Sequence, residues 1–168
     1  MVTVYKEIIT FKPGTIYPSF MIEKSLLRLH YLCDQIPDLL HQVNEDDFSF
    51  RPLNGKWSKK EILGHLIDSA ANNHQRFIRV QFETVPTIRY DQNQWNTHSY
   101  HNQVDKTQLI NFWSSYNKQL LALLKLIPAT KLLNECNTGG PLNVTLEFLI
   151  TDYVEHMEHH LRQIVSYD

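Results

Sequence analysis

The chain has 168 residues, of which 42% are hydrophobic, and sixteen Lys and Arg against eighteen Asp and Glu leave a formal charge of −2. That length suits one domain with its own core, and the absence of a long basic run sets aside nucleic acid and anionic membranes in favour of a small-molecule substrate. Two cysteines in no paired motif, Cys33 and Cys136, exclude a disulfide framework and a cysteine-rich zinc module, and the first ten residues lack an apolar stretch, so a soluble, cytoplasmic protein is expected.

Residues 1–17, with Pro13 and Gly14 and followed by Pro18, read as an irregular arm, although Val2 to Phe11 has some strand-like alternation. From Ser19 to about Val43, Met21, Ile22, Leu26, Leu29, Leu32, Ile36, Leu39 and Leu40 recur at helical spacing, and Pro37 is expected to kink or restart that helix. Asn44 to Gly55 is a connector. Ser58-Lys-Lys-Glu61 then forms a capping box, with Trp57 placed to staple onto Ile62, and the helix it opens runs to about Phe82 before Pro86. Residues Val85 to Val104 are a polar and aromatic insert, longer than a bundle needs as a plain connection.

A second capping box, Asp105-Lys-Thr-Gln108, opens a helix carrying Leu109, Phe112, Trp113, Tyr116, Leu120, Leu123, Leu124 and Ile127. Ala129 to Val144, with Gly139-Gly140-Pro141, is a turn-rich connection, and a last helix runs from about Thr145 to Tyr167. No convincing strand ladder interrupts this pattern. The expected fold class is all-α: a single four-helix bundle over 1–168, of the kind whose core builds metal sites from facing side chains.

His156 and His160 stand four residues apart in Asp152-Tyr-Val-Glu-His-Met-Glu-His-His-Leu-Arg-Gln163. On a helix they lie about 40° apart around the axis and about 6 Å along it, a spacing that lets both reach one ion. His159 makes an i, i+3 pair with His156, but His160 lies closer to the His156 face. A third ligand must come from another helix, and His65, planted among apolar residues in Glu61-Ile-Leu-Gly-His65-Leu-Ile-Asp68, is the best candidate. Three imidazoles without an evident fourth ligand describe an open, reactive centre.

The helix face around His65 also carries Asp68, Asn72 and Arg76, as groups that orient a ligand or bind a polar substrate, and Tyr153 lies one turn before His156. The insert offers Tyr90, Asp91, Trp95, His98 and His101 as pocket walls or a lid. Cys33 or Cys136 as a fourth ligand would close the site and make it structural, but neither sits in a matching motif.

The run Arg51-Pro-Leu-Asn-Gly-Lys-Trp-Ser-Lys-Lys-Glu-Ile-Leu-Gly-His65-Leu-Ile-Asp68-Ser, followed by Asn73-His-Gln-Arg76-Phe77, resembles the first signature of the DinB/YfiT-like superfamily. Asp152 to Ile164 resembles the second. The resemblance implies an up-up-down-down bundle with long connections and a divalent ion, zinc or nickel, on three histidines that match His65, His156 and His160. It also implies a homodimer and an activity among thiol S-transferases using bacillithiol or mycothiol, thiol-dependent isomerases and metal-dependent hydrolases, with a low-molecular-weight thiol as cosubstrate. The expected function is a metal-dependent transferase or hydrolase; a non-catalytic metal- or ligand-binding bundle is the alternative from another class.

Overall fold

The computed structural model describes residues 20–53 and 55–168, so the irregular arm expected over 1–17 lies outside the described residues. The elements are α1 (Phe20–Gln42), α2 (Glu45–Ser49), α3 (Lys59–Arg79), α4 (Gln92–His98), α5 (Lys106–Leu124), β1 (Glu135–Cys136), β2 (Val144–Thr145) and α6 (Leu146–Leu161), with 3-10 turns at His101–Gln103 and Ala129–Lys131. Long helices α1, α3, α5 and α6 form the bundle: α5 and α6 each pack against both α1 and α3. Leu29, Leu32, Leu63, Ala70, Trp113, Leu120 and Met157 are among the side chains that fill its core. None of the described helices is long and apolar enough to cross a membrane.

Helix α1 continues unbroken through Pro37 instead of restarting there. A proline inside a helix leaves the carbonyl four residues earlier without its donor, and the Ser114 hydroxyl on α5 donates to that carbonyl, Cys33 O, at 3.3 Å. The capping box at α3 is complete: Ser58 Oγ accepts from the Glu61 amide at 3.1 Å, and Glu61 accepts from the Ser58 amide at 2.9 Å. At α5 the Asp105 carboxylate accepts from the Gln108 amide. Helices α3, α5 and α6 each stop a few residues before the apolar periodicity does, because turns at Val80, Lys125 and Arg162 close them.

Cross-links between helices fix their directions. Lys106 at the start of α5 donates to the His41 and Val43 carbonyls at the end of α1, whereas Lys118 pairs with Asp34, so α1 and α5 are antiparallel. Ser58 before α3 bonds Asn102 before α5, and Val80 after α3 bonds Asn134 after α5, so these two are parallel. Helix α6 starts beside Asn134 and ends beside the first half of α3, antiparallel to it. In chain order the four run up, down, down and up, where up-up-down-down was expected. The short connection holding α2 turns the chain straight back, and the long crossover falls between α3 and α5.

The turn-rich connection holds a small antiparallel ladder that the sequence pattern did not announce, with Glu135 opposite Thr145 and Cys136 opposite Val144. Thr87 of the insert adds a bridge to Asn137. Two-residue strands carry too few side chains to show alternation, so periodicity cannot reveal them.

Candidate metal centre

Every residue from Lys60 to Ala70 is buried, polar ones included, because α3 is covered by α5 and α6 on the bundle side and by α2, α4 and the 3-10 turn at His101–Gln103 outside. The polar face of α3 therefore meets the insert. Asn96 donates to the Glu61 carbonyl at 2.8 Å, and His101 Nε2 lies 2.9 Å from Asp68 Oδ2. Arg76 donates to the Ile88 carbonyl through Nε and Nη2, at 3.2 and 3.0 Å. Gly64 makes room for this docking, since a Cβ there would stand 2.1 Å from His101 Cγ. The insert is thus a strap bonded along α3, with Asp91 capping α4, Trp95 edge-on to Tyr90 and His98 bonded to the Gln94 carbonyl.

His65 leaves α3 toward α6, where it meets His156 and His160. The ligand nitrogens of the three lie within 4.8 Å of one another, and His65 Nε2 is 3.2 Å from His156 Nε2. Two nitrogens held at about 2.0–2.1 Å from one ion at a tetrahedral angle stand about 3.3 Å apart, so this spacing already fits a shared cation. His159 is exposed and outside the cluster, its ring 5.1 Å from that of His160 between centroids.

Burial first, then the neighbouring His156 and His160, pushes His65 down to about 3. Burial first, then His156 and His159, lowers His160 to about 4. Burial also lowers His156, against the opposing pull of Asp152. All three imidazoles are therefore neutral at pH 7, with lone pairs to offer. His65 is wholly buried, its Nδ1 has no hydrogen-bond partner among the described residues, and its Nε2 faces another imidazole. A cation between the facing Nε2 atoms of His65 and His156 would take both of their lone pairs.

The other residues singled out in the sequence have partners elsewhere. Asp68 Oδ2 lies 2.9 Å from His101 Nε2, and Asn72 donates to the Asp68 carbonyl of its own helix at 2.9 Å. Arg76 bonds Asn73 and Ile88, and Tyr153 gives its hydroxyl proton to Asn117 Oδ1 deep in the core. These side chains secure the strap and the core. Neither cysteine joins the histidine cluster; both are buried, and burial pushes the Cys33 thiol up to about 12 and raises Cys136.

Sequence patterns did not disclose the surroundings of the three histidines. Trp57, expected to staple onto Ile62, lays its ring 5.0 Å from that of His65. Gln163, one turn beyond His160, lies 3.3 Å from His160 Nδ1. Both line a cavity of about 580 Å³ at the start of α3. The signal within reach was a tryptophan placed directly before a capping box, which can face either its own helix or a neighbour.

The family model described as DinB superfamily matches residues 28–164. YfiT from Bacillus subtilis, described as a probable metal-dependent hydrolase with an unusual four-helix bundle topology, matches with a TM-score of 0.79 at 21% identity, over 94% of this chain and 91% of YfiT. That likeness shows a shared fold. No curated protein matches the chain.

Proposed function

Since the chain belongs to the DinB superfamily, we propose that His65, His156 and His160 hold a divalent metal ion and that the protein is a metal-dependent enzyme of the hydrolase or thiol S-transferase type. One observation carries this reading: a wholly buried histidine whose ring nitrogens find no protein partner except a second imidazole of the same cluster. The description of YfiT as a probable metal-dependent hydrolase supports it. When bound, zinc or nickel lowers the pKa of water or of a low-molecular-weight thiol, giving a nucleophile near neutral pH.

The chain's own residues supply the rest. His65 is fixed by the rigid middle of α3 and covered by Trp57, which keeps water from its side of the cluster. His156 and His160 are only half-buried, so the open side of the cluster lies toward the end of α6. With both thiols buried and raised, the protein has no thiolate of its own to act as nucleophile, and the reacting group must come from solvent or cosubstrate.

Elemental analysis of tag-free protein, paired with turnover of an aryl halide by glutathione, bacillithiol or mycothiol and of a nitrophenyl ester by water, tests this. A metal-to-protein ratio near one is expected, with most metal lost in His65→Ala and nearly all retained in His159→Ala. Native protein without metal, or the reverse ranking of the two variants, overturns the assignment.

A further inference from the structure

The cavity at the start of α3 is not needed to hold an ion, yet it shares two side chains with the histidine cluster, Trp57 against His65 and Gln163 against His160. Its volume, about 580 Å³, falls in the range of sites for small organic ligands, about 300–1,000 Å³. Phe50, Pro52, Trp57 and Ile62 give it an apolar wall, and Lys56 and Lys59 stand on the same lining.

The charges here are unevenly matched. Nearby Arg51 is paired with Glu61 and Lys60 with Glu45, whereas neither Lys56 nor Lys59 is in an ion pair among the described residues. Asp47, the carboxylate on the lining, is engaged by the Asn44 side-chain amide at 2.9 Å. The Glu61 carboxylate at the helix start is held by Arg51 and the Ser58 amide. With Lys56 and Lys59 against Asp47, the lining carries a net charge of +1, and the apolar wall suits a flat or hydrocarbon body.

We propose that this cavity is the recognition subsite of the histidine centre and takes a small organic anion, its apolar body on Trp57 and Phe50 and its carboxylate or equivalent between Lys56 and Lys59. This deepens the reading of the histidine cluster as a reactive centre, because the reacting end then lies on the Trp57 and Gln163 side. Among the described lining residues there is no arginine, so selectivity rests on charge and on the apolar wall.

The test is a titration of 2-naphthoate and its neutral match, 2-naphthamide, followed by the Trp57 indole and Gln163 amide signals in 1H–15N spectra. It is run on metal-free and zinc-loaded protein and on the Lys56→Gln/Lys59→Gln variant, whose spectrum also reports folding. In metal-free wild type the anion is expected to bind about fivefold tighter than the amide, the factor that partly exposed ion pairs supply, and the double variant should bind the two equally. Equal affinities in the wild type, a preference that survives in the variant, or shifts confined to the Trp95 and Trp113 indoles would overturn the proposal. Zinc uptake, measured on the same samples, separates the two readings: anion selection in a protein that takes up no zinc upholds the cavity and defeats the metal assignment.

Discussion

Replacing Gly64 with alanine sets two effects of opposite sign against each other. In a bare helix the change gains about 1 kcal/mol, since glycine is among the poorest helix formers. Here the new Cβ would lie 2.1 Å from His101 Cγ and 2.2 Å from Cδ2, so the imidazole must leave. Overpacking of this kind costs about 1–3 kcal/mol, and losing the 2.9 Å contact with His101 strips the buried Asp68 carboxylate of a main partner, about 1–3 kcal/mol more. Gly64→Ala should therefore destabilise by about 1–5 kcal/mol net in urea unfolding followed by circular dichroism. Metal content should hold, because consecutive helix residues point about 100° apart and His65 faces the other way. His101 Cβ would itself lie 2.6 Å from the new Cβ, so the clash is removed only in the Gly64→Ala/His101→Gly double variant, whose stability should equal or exceed that of His101→Gly alone. A neutral Gly64→Ala, or costs that simply add in the double variant, would refute the close approach of His101 to α3.

Acid should weaken the metal-free protein. Above pH 6.5 the three histidines are neutral in both states; as pH falls from there toward 4 and 3 the unfolded chain takes up protons that the folded cluster resists, so stability is lost across that window. Melting temperatures between pH 8 and 4 measure this, with a smaller slope expected in His65→Ala; a flat profile counts against a buried neutral cluster. Tyr153→Phe should cost about 1–2 kcal/mol through the Asn117 oxygen it leaves unpaired, while metal content stays at the wild-type level; metal loss would return Tyr153 to the site. Static light scattering at micromolar concentration should give a homodimer, with the exposed Trp95 and Tyr100 of the insert as its expected contact, and a monomer would contradict this.

The histidine cluster was legible because it is local twice over: a four-residue histidine spacing on one helix, and one histidine seven residues after a capped helix start. Helix starts were legible for the same reason, as Ser58, Glu61 and Asp105 act within one turn. The partners of the polar face of α3 were not legible. Asp68, Asn72 and Arg76 looked like pocket chemistry because nothing near them in sequence says that His101 and the Ile88 carbonyl will arrive to satisfy them. Helix directions were hidden likewise, since they are set by cross-links such as Lys106 to Val43 and Asn134 to Val80 that join distant segments. Pro37 misled for a matching reason: its orphaned carbonyl is rescued by Ser114, on a helix far along the chain.

The histidine cluster is divided between the first half of α3 and the last two turns of α6, with α5 and both long connections lying between them in sequence. During synthesis His65 emerges long before its partners, so a chain made only as far as the start of α6 offers just one of the three imidazoles. An ion shared by all three would require α3 and α6 to be already packed together, and would oppose their separation by mass action, by about 2.7 kcal/mol when free metal is at a hundred times its dissociation constant. If the proposed ion binds, its occupancy would act as a latch that ties α6 to α3.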